Sequence, residues 1–172
     1  MRALIKNDYA PGVAYAEIAK PEPKADEILI QVKAAAICGT DMGIWNWNES
    51  GQCFYTKYGA KMPFTLGHEC SGIVVGLGKN VNGFRLGDHV ALETHIYCGE
   101  CYQCRNGDAH NCQNLKIYGV SCDGCFAEFA AAPANCAFKL PESIGFEQGA
   151  LFEPAGVAMF GCLLYTSDAA DD

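Results

Sequence analysis

Apolar and polar positions alternate along residues 27–34. Ile28, Ile30 and Val32 fall on one face, Gln31 and Lys33 on the other. A period of two over that length predicts a half-buried strand. Pro21, Pro23 and Lys24 mark the loop that leads into it. Residues 71–78 form a second, shorter apolar run bounded by Gly72 and Gly78. The turn dipeptides Asn82-Gly83 and Gly87-Asp88 flank Phe84-Arg85-Leu86, and strand character resumes at His89-Val90-Ala91-Leu92. Residues 126–131 and 137–140 read as later strands, and Met1-Arg2-Ala3-Leu4-Ile5-Lys6 as an entry strand. Helical signals are few. One short helix is expected to begin at Pro141-Glu142-Ser143-Ile144, and another to have Pro154 as its first residue. With no internal repeat and no low-complexity linker, the pattern predicts a mainly β fold, a partly open barrel with short helices.

The chain has 172 residues, enough to bury a core of ordinary size. Its net charge of −8, with no basic cluster, speaks against nucleic acid and anionic membrane surfaces as partners. No apolar run reaches the length of a membrane span. The N-terminus lacks the long apolar stretch of a signal peptide, so a cytoplasmic location is expected. Eleven cysteines without an export signal point to metal ligands more than to disulfides.

The strongest chemical signal is Cys98-x2-Cys101-x2-Cys104-x7-Cys112. Four thiolates from one compact lobe can surround zinc tetrahedrally and leave no position open. The polar, turn-rich stretch from Arg105 to His110 suits an exposed lobe, expected to span about 97–113. Two alternatives exist. Disulfides are disfavoured because cysteines two residues apart bridge poorly. An iron–sulfur cluster is disfavoured by the final gap of seven and by Gln113 where its run carries proline. Gly76-Leu77-Gly78-Lys79-Asn80-Val81 half-matches a dinucleotide fingerprint, but the third glycine is missing and Asn82-Gly83 turns the chain where a helix should start. No nucleotide site is expected.

A second constellation is more dispersed. It consists of Cys38-Gly39-Thr40-Asp41, Gly67-His68-Glu69 and Phe152-Glu153-Pro154. A cysteine, a histidine and a carboxylate are ligand types suited to zinc with a fourth position open, the composition of a catalytic site. Taken singly, Cys38 reads equally as a small buried hydrophobe and His68 as a satisfied core residue.

The pattern Gly-His-Glu-x2-Gly-x5-Gly-x2-Val over residues 67–81 resembles the zinc signature of the medium-chain alcohol dehydrogenases. Ala36-Ile37-Cys38-Gly39-Thr40-Asp41, Glu93-Thr94-His95-Ile96-Tyr97-Cys98 and Cys112-Gln113-Asn114 extend the likeness. Within that family the chain is most similar to the threonine dehydrogenase branch, with sorbitol-type polyol dehydrogenases next. The resemblance implies a GroES-like domain over residues 1–161 that carries two zinc ions. Cys38, His68, Glu69 and Glu153 would hold the catalytic ion, and Cys98, Cys101, Cys104 and Cys112 the structural one. Asp41 would orient His68, Thr40 would take the substrate hydroxyl's proton, and His95 would lie by the substrate. It also implies a small-molecule alcohol substrate, NAD or NADP on a Rossmann domain absent from this segment, and a homo-oligomeric full-length parent. By itself the segment is expected to turn nothing over. A non-catalytic metal-binding barrel is the alternative.

Two positions depart from the family. Gly43 stands where a relay histidine is usual, and Val157 where the threonine branch usually has asparagine. Residues 162–172 resemble the conceptual translation of a transposase adapter and are expected to be a non-native tail, the alternative being a natural acidic one.

Overall fold

A computed structural model describes residues 1–59 and 61–165. The expected strand at residues 27–34 is β3 (Glu27–Ala36), preceded by β1 (Arg2–Lys6) and β2 (Ala14–Glu17). Ile28 and Ile30 are fully buried on one face and Lys33 is exposed on the other. Leu29 is also buried, so the alternation marks the core face without leaving the opposite face to water. The chain then forms α1 (Gly39–Asn46), α2 (Glu49–Tyr58), β4 (Phe64–Thr65) and β5 (Glu69–Leu77). Next come β6 (His89–Leu92), β7 (His95–Ile96), α3 (Tyr102–Arg105) and β8 (Lys116–Ile117). β9 (Phe129–Pro133), β10 (Ala137–Lys139), α4 (Phe146–Gly149) and α5 (Phe152–Tyr165) complete the described residues.

All strand pairs are antiparallel. The largest sheet has the order β10-β6-β5-β3-β9, a second has β2-β1-β4, and β7 pairs with β8. The two larger sheets are stitched by an Ala3–Ala127 bridge and by Leu4 N–H donating to Phe126 O at 2.8 Å. The result is a partly open barrel, as the pattern predicts. One apolar cluster, built around Ile28, Ile30, Val74, Val90 and Leu92, fills it. A second joins Ile44, Phe64, Leu66, Ile117 and Val120 beneath α1 and α2.

Several boundaries differ from expectation, each for a physical reason. The strand expected at 126–131 serves two sheets in succession: residues 126–128 bond to β1, Phe129–Pro133 pair with β3, and at the junction Glu128 O also accepts from Val32 N–H at 3.1 Å. Residues 141–144 make a turn, closed by Ile144 N–H on Pro141 O at 2.9 Å, and the helix starts beyond Gly145. Pro154 is the third residue of α5, not the first. The first-turn amides of a helix have no intrahelical acceptor, so proline is tolerated there. No helix follows β5, as the broken fingerprint at Gly76–Gly78 implies. Residues 162–165 of the expected tail continue α5, and 166–172 lie outside the described residues. No helix among the described residues is long and apolar enough to cross a membrane.

The pair α1–α2 is the main element the pattern did not announce. Asn48 caps α2 by accepting from Gly51 N–H at 2.9 Å. The helices cross at two glycines, Gly43 and Gly51. A Cβ on Gly51 would sit 2.1 Å from the Gly43 carbonyl oxygen. Gly51→Ala is therefore expected to push α2 off α1 and destabilise the fold by about 1–3 kcal/mol, read from the denaturant midpoint. An unchanged midpoint would mean that the crossing is loose.

Candidate metal centres

The β3–β5 ladder ends with Ala36 opposite Glu69. Two residues beyond Ala36 stands Cys38, and one residue before Glu69 stands His68, so both leave the sheet at the same end. Gly67 turns the chain there with φ +93°, and a Cβ on it would lie 2.4 Å from the Phe126 ring. Glycine at this point of the signature is a steric requirement. Cys38 is also the N-cap residue of α1, so Thr40 lies in the first helical turn and is not the cap.

The side chains of Cys38, His68 and Glu69 offer a sulfur, a ring nitrogen and a carboxylate oxygen within 4.8 Å of one another. His68 and Glu69 are buried. Asp41 supports them from below: Oδ2 accepts from Cys38 N–H at 3.0 Å, and Oδ1 stands 3.5 Å from His68 Nδ1. Both of those last two atoms are buried, and neither has another hydrogen-bond partner. Burial opposes a proton on His68, but the Asp41 carboxylate outweighs it, with help from Cys38, and the imidazole is raised to about 9. A histidine oriented through one nitrogen by a carboxylate presents the other nitrogen to a metal. Asp41→Asn is accordingly expected to weaken metal affinity at this cluster about 10–100-fold while the fold is retained, as measured by competition with a chromophoric chelator. Unchanged affinity would remove Asp41 from the site.

A cavity of about 370 Å³ opens onto the cluster. Glu153, at the start of α5, lines it, although it is not one of the three groups that converge within 4.8 Å. Burial, then the carboxylates of Glu69 and Glu93, raise Glu153, while His68 and His95 pull it down. Thr40 lines the same cavity, its Oγ1 3.7 Å from Cys38 Sγ. His95 does too. Its Nδ1 pairs with the Glu93 carboxylate, whose other oxygen accepts His95 N–H at 2.7 Å, and this pairing raises the imidazole. Glu93 thereby leaves Nε2 as the nitrogen for the cavity.

Sequence reasoning missed Thr94, buried with Oγ1 unpaired, and the wall formed by Phe54, Tyr58, Leu115 and Ile117. The available signal was Asn48 as a helix cap, which places Phe54 and Tyr58 one turn apart on one helix face. Trp45 and Trp47 do not line the cavity. Trp45 is exposed, and Trp47 packs against Tyr9 and Tyr55.

The second centre is the cysteine lobe. Its Sγ atoms lie 3.4 Å (Cys101–Cys104), 3.9 Å (Cys101–Cys112) and 4.0 Å (Cys98–Cys104) apart. A tetrahedron with Zn–S of about 2.3 Å needs about 3.8 Å between sulfurs, so the set fits. Backbone amides point into it: Cys98 N–H and Asn114 N–H each donate to Cys112 Sγ at 3.3 Å, and Cys101 N–H donates to Cys98 Sγ at 3.4 Å. Amide donation from Glu100 and Cys101 lowers Cys98 to about 6, whereas burial and the neighbouring thiols push Cys104 up to about 12. Four thiolates this close repel one another, and a divalent cation is the natural counter-charge.

The family model of the alcohol dehydrogenase GroES-like domain matches residues 24–142, more than half of the chain. The chain belongs to this family. Curated relatives of this GroES-like domain include the L-threonine 3-dehydrogenases of Pyrococcus abyssi, 46% identical over 92% of the chain, and Bacillus subtilis, 43% identical over the same share. The chain spans 44% of the length of each. Among solved structures, a zinc-binding dehydrogenase from Sinorhizobium meliloti bound to NADP superposes with a TM-score of 0.83. It is 32% identical, and the match covers 95% of this chain and 45% of that one. Galactitol-1-phosphate dehydrogenase from Escherichia coli gives 0.80 at 30% identity, covering 92% of this chain and 43% of that one.

Proposed function

We propose that the chain is the metal-holding part of a zinc-dependent nicotinamide dehydrogenase that oxidises a secondary alcohol to a ketone. The observation that carries this reading is the convergence of Cys38, His68 and Glu69 at the floor of a cavity that Thr40, His95 and Glu153 also line. Residues 1–161 form the GroES-like unit, with residues 97–113 as its structural zinc lobe. The L-threonine 3-dehydrogenases among its relatives make L-threonine the reference substrate.

Zinc held at this cluster supplies Lewis-acid polarisation of a hydroxyl, and NAD or NADP supplies the hydride acceptor. In the oxidation the carbinol carbon gives up a hydride, the hydroxyl gives up a proton, and a C=O bond forms. Thr40 Oγ1 accepts that proton as its own hydroxyl proton moves on. Gly43 offers no side chain to carry it further, and His95, oriented by Glu93, takes that place at Nε2. Asp41 holds the His68 ring in register, and Glu153 is the acidic group that approaches the cluster from α5. The described residues carry no dinucleotide fingerprint, so this chain mixed with NAD and L-threonine is expected to yield no reduced cofactor.

The experiment is spectroscopic. Cobalt(II) in the four-cysteine lobe is expected to give visible bands indifferent to added imidazole, because that site has no open position. Cobalt at Cys38–His68–Glu69 is expected to give a second set of bands that shifts with imidazole and is lost in His68→Ala. A spectrum wholly insensitive to imidazole would mean a closed second site and would rule out the catalytic reading.

A further inference from the structure

The cysteine lobe is also the loop of a hairpin that reaches the catalytic cavity. β7 and β8 form a sheet of their own, with His95 opposite Ile117 and Ile96 opposite Lys116. Side chains alternate across such a ladder. His95 and Ile117 line the catalytic cavity together with Leu115, whereas Ile96 and Lys116 line a separate cavity of about 410 Å³. Residues 97–115, which contain the lobe, join the two strands. A two-stranded ladder this short is marginal by itself, and a long loop adds a closure cost. One end of the hairpin is anchored in the fold, because Tyr118 N–H donates to Thr94 O and Ile117 N–H to Ser121 Oγ, each at 2.9 Å. The other end depends on the cysteines. Cys98 stands two residues after β7 and Cys112 four residues before β8, and Cys98 N–H donates to Cys112 Sγ at 3.3 Å. A metal held by both ties the two arms directly behind the ladder. Leu115 hangs on that tie: its N–H donates to Cys112 O at 3.3 Å, and Asn114 N–H donates to Cys112 Sγ at 3.3 Å.

The lobe reaches the cavity by a second route. His110, with Nε2 3.0 Å from Asp108 Oδ1, meets the Phe160 ring edge-on at 5.9 Å between centroids. Phe160 lies one turn beyond Val157 on α5, and Glu153, Pro154 and Val157 of that helix line the cavity. The apolar wall of the cavity thus has two kinds of support. Phe54 and Tyr58 belong to α2, whose start is seated on α1 at Gly51. Leu115, Ile117 and Val157 lean on the lobe. Resting on the dehydrogenase reading, we propose that metal in the four-cysteine lobe shapes the catalytic cavity, so that the two metal centres are coupled. The lobe metal positions Leu115 and the His95–Ile117 pair through Cys112, and α5 through His110.

The test uses the zinc-loaded 172-residue chain and a variant with Cys98→Ser and Cys112→Ser, its lobe confirmed empty by zinc content. Nuclear magnetic resonance follows the methyl groups of Leu115, Ile117 and Val157, with Val74 and Val90 of the barrel core as reference. Emptying the lobe is expected to shift and broaden the first three and leave the reference pair in place. Imidazole, used as a probe of zinc at Cys38–His68–Glu69 and followed through the His68 ring, is expected to bind about fivefold or more weakly. Should the double variant unfold, His110→Ala keeps all four cysteines and should move Val157 alone. Unmoved cavity methyls, equal movement of Val74 and Val90, unchanged imidazole affinity, or a Val157 indifferent to His110→Ala would overturn the proposal. Zinc at Cys38–His68–Glu69 is measured on the same samples. Its absence from the unmodified chain sinks the dehydrogenase reading, and the methyl signals still decide the coupling.

Discussion

Removing metal from the cysteine lobe, by chelation or by Cys98→Ser, is expected to melt residues 98–112 and leave the barrel standing. The lobe has almost nothing else to hold it. Its helix α3 is four residues long, Tyr102 is 69% exposed, and Cys112 is its buried apolar residue. Structural zinc in small modules contributes about 10–16 kcal/mol of apparent binding free energy, which in a segment without a core is also its folding free energy. The β3–β5 ladder draws its stability from Ile28, Ile30, Val74 and Val90, none of which belongs to the lobe. Amide hydrogen exchange separates the two. Protection should vanish across 98–112 and persist along β3 and β5. A lobe still protected after complete metal removal would mean that its backbone hydrogen bonds suffice.

The second large effect is expected at His68. His68→Ala should remove one zinc from the chain while the fold and the lobe metal remain. In an assembled dehydrogenase it should lower turnover by about a thousandfold or more, the scale of losing several kcal/mol of charge stabilisation in the transition state. The ring is 4% exposed and lies between Asp41 and the Cys38–Glu69 pair, and no other histidine belongs to that cluster. Cys38→Ser should act in the same direction. Serine keeps the N-cap role, so α1 should survive and a loss of metal can be assigned to the missing sulfur. Zinc content and the melting temperature, measured on the same sample, check both variants. A His68→Ala protein that keeps its full zinc would remove the residue from any metal site.

Much of this was legible in the sequence because local chemistry dictates it. The alternation around Ile28 and Ile30 marks a core strand, and four cysteines spaced two, two and seven apart can meet without help from the rest of the chain. Gly67-His68-Glu69 stood out as the opening of the zinc signature over residues 67–81. Other features depend on distant partners. The strand boundary at Phe129 is set by β1 claiming the residues just before it. The α1–α2 pair depends on Gly43 meeting Gly51, and neither glycine announces a helix by itself. The apolar wall draws on α2, the approach to β8 and α5, and no window of sequence contains all three. Glu93 as the partner of His95 escaped for a simpler reason. The two lie two residues apart, a spacing that carries meaning only once the bend between β6 and β7 brings both side chains together.

The most direct test is the zinc content of the purified chain, read together with the position of each ion by anomalous scattering. The account predicts two ions per chain: one among Cys98, Cys101, Cys104 and Cys112, the other against Cys38, His68 and Glu69. A single ion confined to the cysteine lobe, with the second cluster empty at saturating zinc, would contradict it and leave a stapled barrel without the centre of a dehydrogenase.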